Sequence, residues 1–128
     1  MNSRELLPLR VTLLVLGATC MALGPLMLYW PTGWRWEPYQ PHYEQMMVGL
    51  YFTLGAFLIR ASRDPLRHLS VIWFAVWSSV VHASVMTVQS FTGAQHHGHL
   101  VGDVPALFFA AAVVAFLTTR ASRQAASP

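Results

Sequence analysis

The chain has 128 residues, of which 55% are hydrophobic and only 10% are charged. A soluble domain carries about 25% charged residues, so the composition argues against an ordinary soluble enzyme and predicts one integral membrane domain. The net charge of +3 comes from arginines beside apolar stretches, which indicates membrane topology and no nucleic-acid partner. Cys20 is the only cysteine, which excludes internal disulfides and CxxC redox chemistry.

Four apolar stretches predict four transmembrane helices, at about residues 11–30, 43–60, 67–90 and 99–119. Each is close to the roughly 20 residues that cross about 30 Å of hydrocarbon, and the second is the shortest. Short connections make consecutive helices antiparallel neighbours. The predicted fold class is therefore all-α, an up-and-down four-helix membrane bundle that occupies residues 1–128 as one domain.

Prolines mark two boundaries along the chain. Pro25 follows Gly24 near the outer end of the first helix, where the loss of one backbone hydrogen bond predicts a kink. Between the second and third helices, Asp64 precedes Pro65. This order is typical of a helix start, so we expect Asp64 to cap the third helix.

Seven of the eight arginines lie in clusters on one side of the predicted spans. These are Arg4, Arg10, Arg60, Arg63, Arg67, Arg120 and Arg123. Cytoplasmic loops carry such an excess of basic residues. The pattern predicts a multi-pass protein of the bacterial inner membrane, with both termini and the middle loop in the cytoplasm.

Ionisable residues on three helices fall at one predicted height. Counted from the arginine at the inner end of each helix, Glu44, His82 and Asp103 lie 16, 15 and 17 residues away, or about 24 Å at 1.5 Å per residue. Ionisable groups within membrane spans usually face the bundle interior and pair with one another. We expect them to converge on an outward-facing polar pocket, which is also lined by His99, Gln89 and Tyr43.

The pocket leaves several functions open. The set His82, His99, Glu44 and Asp103 suits a zinc or iron ion, and histidine with methionine suits copper. A lipophilic molecule such as a quinone is the other ligand class. A membrane enzyme that uses His82 with Glu44 or Asp103 as an acid–base pair is the alternative, and so is a hydrogen-bonded clasp that only joins helices.

A stripe of small residues on the third helix predicts close helix packing. Ala75, Ser79 and Ala83 recur at a spacing of four, which lets a second helix approach closely. The stripe serves either this chain or a neighbouring subunit, so a homo-oligomer, a larger membrane complex and a purely structural packing subunit stay open.

Segments across nearly the whole chain resemble a family of short bacterial four-helix membrane proteins of unknown function. They include Trp30-Pro31, Tyr43-Glu44-Gln45-Met46, Asp64-Pro65-Leu66 and Gly102-Asp103-Val104-Pro105. The layout is also similar in topology to the DoxX-like membrane proteins, some of which are associated with quinone-linked oxidoreductases. That resemblance implies an accessory subunit beside a redox partner, and it implies no established activity.

Overall fold

The structure, a computed structural model, describes residues 5–30, 41–91 and 102–126. Across these ranges there are no strands and four long helices, namely α1 (Leu7–Tyr29), α2 (Pro41–Arg63), α3 (Leu69–Ser90) and α4 (Asp103–Ala126). A short 3₁₀ turn, Pro65–His68, precedes α3. The predicted all-α fold class is confirmed.

Three helical segments are long and apolar enough to cross a membrane. They are α1 with 23 residues, the 3₁₀ turn together with α3 with 26, and α4 with 24. Helix α2 also has 23 residues, but Glu44 lies in its first turn and Arg60 and Arg63 lie in its last. These charged groups shorten its apolar part, so three of the four predicted spans are supported by length and composition.

The exposed surfaces of the candidate spans are apolar. Val15 on α1 is 59% exposed, Trp77 on α3 is 63% exposed and Phe109 on α4 is 72% exposed. Contiguous apolar surface is costly in water, and on long apolar helices it marks contact with lipid or with another protein. These side chains are suited to a hydrocarbon environment.

Many serine and threonine hydroxyls are hydrogen-bonded within their own helix. The Ser79 hydroxyl donates to the Ala75 carbonyl oxygen at 2.8 Å, and the Thr87 hydroxyl donates to the Ala83 carbonyl oxygen at 2.7 Å. The same four-residue pattern recurs at Thr19, Thr53, Ser84, Ser90 and Thr119. Such bonds satisfy polar groups that would find no water inside a bilayer.

Helices α1 and α2 approach backbone to backbone within the unit Arg10–Asp64. A Cβ built on Gly55 would lie 2.6 Å from the Gly17 carbonyl oxygen, and one on Gly17 would lie 2.8 Å from the Gly55 carbonyl oxygen. Real Cβ atoms do not come so close, so glycine is needed on both sides. Further along, Gly24 meets Val48. Since later residues of α1 meet earlier residues of α2, the two helices are antiparallel.

Helices α3 and α4 pack together in the second unit, and the 3₁₀ turn contacts both. On α3, Ala75 is 3% exposed and Ala83 is 0% exposed, while Ser79 is half-buried. The small-residue stripe is therefore already covered by this chain. A role of the stripe in a homo-oligomer or a larger membrane complex stays a prediction.

The start of α3 differs from the prediction. Its first helical residue is Leu69, and His68 occupies the N-cap position without a side-chain hydrogen bond. The expected cap by Asp64 is wrong, because the 3₁₀ turn stands between Asp64 and α3. Pro65 instead begins that turn and is buried.

Candidate functional site

His82 is the only ionisable side chain of α3. It is half-buried, between exposed Val81 and buried Ala83. Met86 lies one helical turn further on, on the same face, and is also half-buried. A polar ring in such an apolar helix is costly unless it has polar neighbours.

Asp103 is the first residue of α4 and is exposed. The Ala106 N–H donates to the Gly102 carbonyl oxygen at 3.3 Å, which places the helix start at this point. A carboxylate in the first helical turn is stabilised by the partial positive charge of the helix N-terminus. Asp103 therefore has a structural reason for its position, independent of any ligand.

Two of the predicted site residues lie on α3 and α4, the helices that pack against each other. The Asp103 carboxylate interacts electrostatically with the His82 imidazole, and both side chains take part in interactions. His82 lies in the C-terminal half of α3 and Asp103 at the start of α4. A carboxylate near an imidazole can orient the ring through its N–H.

Gln89 continues the line of polar groups on α3. It lies seven residues, or two helical turns, beyond His82, on the same face. Its side chain is exposed and takes part in an interaction. Beside it, the Ser90 hydroxyl is fully buried and donates to the Met86 carbonyl oxygen at 2.8 Å.

The two predicted pocket residues on α2 belong to the other unit. Glu44 is half-buried and takes part in an interaction. It lies on the same stripe of α2 as Val48 and Gly55, which both lie against α1. Tyr43 is 65% exposed. The convergence of these residues with the His82–Asp103 pair stays a prediction.

The predicted metal site has residues inside and outside the described ranges. Within the three described ranges, no group of three or more histidine, cysteine, aspartate or glutamate residues is arranged to hold a metal ion. His82 and Asp103 provide two ligand types on adjacent helices, and His99 lies outside the described residues. The zinc, iron or copper ion stays a prediction.

Two buried polar groups were missed by the reading of the sequence. The Arg10 Nε and the Thr118 hydroxyl are buried without a hydrogen-bond partner among the residues that the structure describes. An arginine before an apolar stretch signals topology, and a threonine in a helix usually bonds its own backbone. Neither signal indicates a buried, unpaired atom, which only the packing of the helices reveals.

A protein-family sequence model matches residues 4–128, nearly the whole chain. The chain belongs to the DUF6632 family. DUF6632 is a family of unknown function, as the resemblance of the sequence to an uncharacterised family had implied. Neither a curated protein nor a solved structure matches this DUF6632 chain. Its function must therefore be argued from its own residues.

Proposed function

We propose that this DUF6632 protein is an integral membrane protein that binds a lipophilic small molecule through the His82–Asp103 pair. A quinone is the first ligand class to test. The observation that carries the proposal is the placement of His82, a half-buried ionisable ring in an apolar candidate span, within electrostatic reach of Asp103.

The pair has the chemistry to recognise a carbonyl or hydroxyl group. An imidazole N–H donates a hydrogen bond to a carbonyl oxygen, and a carboxylate beside the ring favours one tautomer and orients it. Apolar surface around the ring supplies the remaining contacts, as in most small-molecule sites. Met86, half-buried one turn from His82, provides a flexible apolar wall.

We further propose that the protein lies in the bacterial inner membrane. Both termini and the loop between α2 and α3 face the cytoplasm, because the arginines concentrate at those points. The His82–Asp103 pair then lies toward the outer side. An accessory subunit beside a quinone-linked redox partner agrees with this location, with the topological similarity to DoxX-like proteins, and with a lipophilic ligand.

A metal ion is the second ligand class. His82 and Asp103 provide a nitrogen and an oxygen ligand, and a zinc or iron site needs at least one more protein ligand. His99 is the predicted third ligand, four residues before Asp103. The lipophilic ligand is preferred because it requires no group beyond the pair.

Analysis of bound species in the purified protein tests the proposal. The full chain is extracted in a mild detergent, its organic extract is analysed by mass spectrometry, and its metal content is measured by elemental analysis. His82→Ala and Asp103→Asn are compared with His68→Ala, which removes the same residue type at the other end of α3. We expect a lipophilic molecule in the wild type and in His68→Ala, and its loss from His82→Ala with retention of helical circular dichroism.

Two results would replace the proposal. A stoichiometric metal ion that is lost from His82→Ala would assign the pair to a metal site completed by a further ligand. No bound species in the wild type, with a large loss of thermal stability in His82→Ala and Asp103→Asn, would reduce the pair to a clasp between α3 and α4. The loss should be larger in His82→Ala than in Asp103→Asn, because His82 is half-buried and Asp103 is exposed.

A further inference from the structure

Three arginines lie level with one another at one end of the α1–α2 pair. Gly17 opposes Gly55 where the two helices cross. Arg10 is seven residues before Gly17, and residue 62 is seven after Gly55, so Arg10 is level with residue 62 at about 10 Å from the crossing. Arg60 and Arg63 are within two residues of that level. Their charges therefore share one end of the hairpin.

Arg10 lies on the face of α1 that meets α2. Seven residues are close to two full turns, so Arg10 points in nearly the same direction as Gly17. Its Nε is buried and has no hydrogen-bond partner among the described residues. An unsatisfied guanidinium nitrogen is costly. Arg10 therefore combines a buried, unsatisfied Nε with a position on the face of α1 that meets α2, near the end of the hairpin.

Arg60 and Arg63 present a pair of like charges near the same level on α2. They are exposed and lie three residues apart in the last turn of α2, where side chains are neighbours. The partial negative charge of the helix C-terminus favours cations at this position. It does not satisfy the buried Nε of Arg10, which needs an acceptor of its own.

We propose that Arg10 and Arg63 bind the phosphate group of an anionic phospholipid, with Arg60 adding positive charge at the same level of α2. Guanidinium groups form bidentate, charge-assisted hydrogen bonds with phosphate oxygens. A lipid is favoured over a free phosphate because apolar side chains continue from the cluster along both helices. Val11 is 50% exposed and Phe57 is 52% exposed, so acyl chains find apolar surface directly beside the arginines.

The inference rests on the membrane location proposed above and is independent of the His82–Asp103 pair. The ligand of that pair is expected within the bilayer on unit α3–α4. The phospholipid is expected at the end of α1–α2 where the arginines lie. Loss of one therefore leaves the other measurable in the same preparation.

A lipid titration of the full chain tests the site. The protein is delipidated in a neutral detergent and titrated with dioleoyl phosphatidylglycerol or dioleoyl phosphatidylcholine, and bound lipid is counted by native mass spectrometry. Arg10→Gln and Arg63→Gln are compared with Arg120→Gln, which removes one exposed charge from α4. We expect phosphatidylglycerol to bind in preference to phosphatidylcholine. Each cluster variant should bind it about fivefold more weakly, and Arg120→Gln should bind like the wild type.

Three outcomes would overturn the proposal. Equal weakening by all three variants would show general attraction to positive charge and no site. Equal binding of the two lipids would exclude recognition of the anionic headgroup. Displacement of the lipid by millimolar inorganic phosphate would assign the arginines to a free anion. If Arg10→Gln loses its helical circular dichroism, lipid binding by Arg63→Gln tests the proposal alone, because Arg63 is exposed and makes no contribution to the core.

Discussion

Replacement of Gly55 by alanine should separate α1 from α2, because the new methyl group has no room. The substituted Cβ would lie 2.6 Å from the Gly17 carbonyl oxygen and 2.7 Å from the Met21 Cγ. A side chain can rotate away, but a helical carbonyl cannot move without its helix. The contact has to lengthen to at least 3.4 Å to become an ordinary one, so the helices must shift apart along the interface.

The expected cost is about 1 to 3 kcal/mol, the usual penalty for an extra methyl group in a packed interior. Alanine also favours a helix over glycine, by up to about 1 kcal/mol in water. Gly49→Ala controls for this gain, because Gly49 lies on the same helix and a Cβ there meets nothing within 4 Å. The difference between the two variants isolates the cost of the helix contact.

The free energy of unfolding can be measured for each variant by titration of sodium dodecyl sulfate into mixed micelles, with circular dichroism as the signal. Gly24→Ala provides an intermediate case, because its Cβ would meet only the Val48 Cγ1, at 2.8 Å. That side chain can move, so we expect a smaller loss than for Gly55→Ala. Gly17→Ala combined with Gly55→Ala should cost less than the sum of the single variants, since the first substitution already separates the helices.

Equal free energies of unfolding for Gly55→Ala and Gly49→Ala would refute this prediction. In that case the backbone contact between Gly17 and Gly55 would not limit the approach of the two helices. A loss in Gly49→Ala equal to that in Gly55→Ala would point instead to an effect of alanine on α2 alone.

Other features of the chain give further predictions. Thr118→Val should raise the free energy of unfolding by about 1 kcal/mol, because the buried Thr118 hydroxyl has no partner in the described part of the chain. Thr119→Val removes a hydrogen bond to the Ala115 carbonyl oxygen and should not raise it. Equal unfolding midpoints for the two variants would contradict the prediction. Cys20 is buried, so a maleimide should modify it only after denaturation. In a Cys20→Ala background, the single substitutions Gly33→Cys and Ala94→Cys should each be labelled by a thiol reagent in cells with an intact inner membrane. Labelling only after the inner membrane is permeabilised would reverse the proposed orientation. Helix α2 alone should insert poorly in a translocon assay and should insert well when α1 precedes it, because its charged ends shorten its apolar part.

The helices were predictable from the sequence because apolar stretches and their polar ends are local signals. The order and type of all four elements agree with the structure, and Pro25 lies inside α1 as expected. The start of α3 was not predictable in the same way. Asp64 followed by Pro65 fits a helix start, and only the backbone shows that a 3₁₀ turn begins there first.

Side-chain pairing depends on helix register, which the sequence does not state. Gly49 and Gly55 are equivalent in the sequence, yet only Gly55 faces the backbone of α1. Counting residues from the arginines placed Glu44, His82 and Asp103 at one height. His82 and Asp103 lie on helices that pack together and interact electrostatically, whereas Glu44 belongs to the other unit.

The hydroxyl bonds within the helices bear on how this protein is made in the cell. Because Ser79, Ser84 and Thr87 already use their own backbone as acceptor, α3 carries these polar groups into the bilayer without help from another helix. Insertion and assembly can then be separate steps, with each apolar helix entering first and its neighbour docking later. We expect helix α2 to be the exception, because the charged groups at its ends shorten its apolar part. If its insertion depends on α1, the two helices should leave the translocon as a pair.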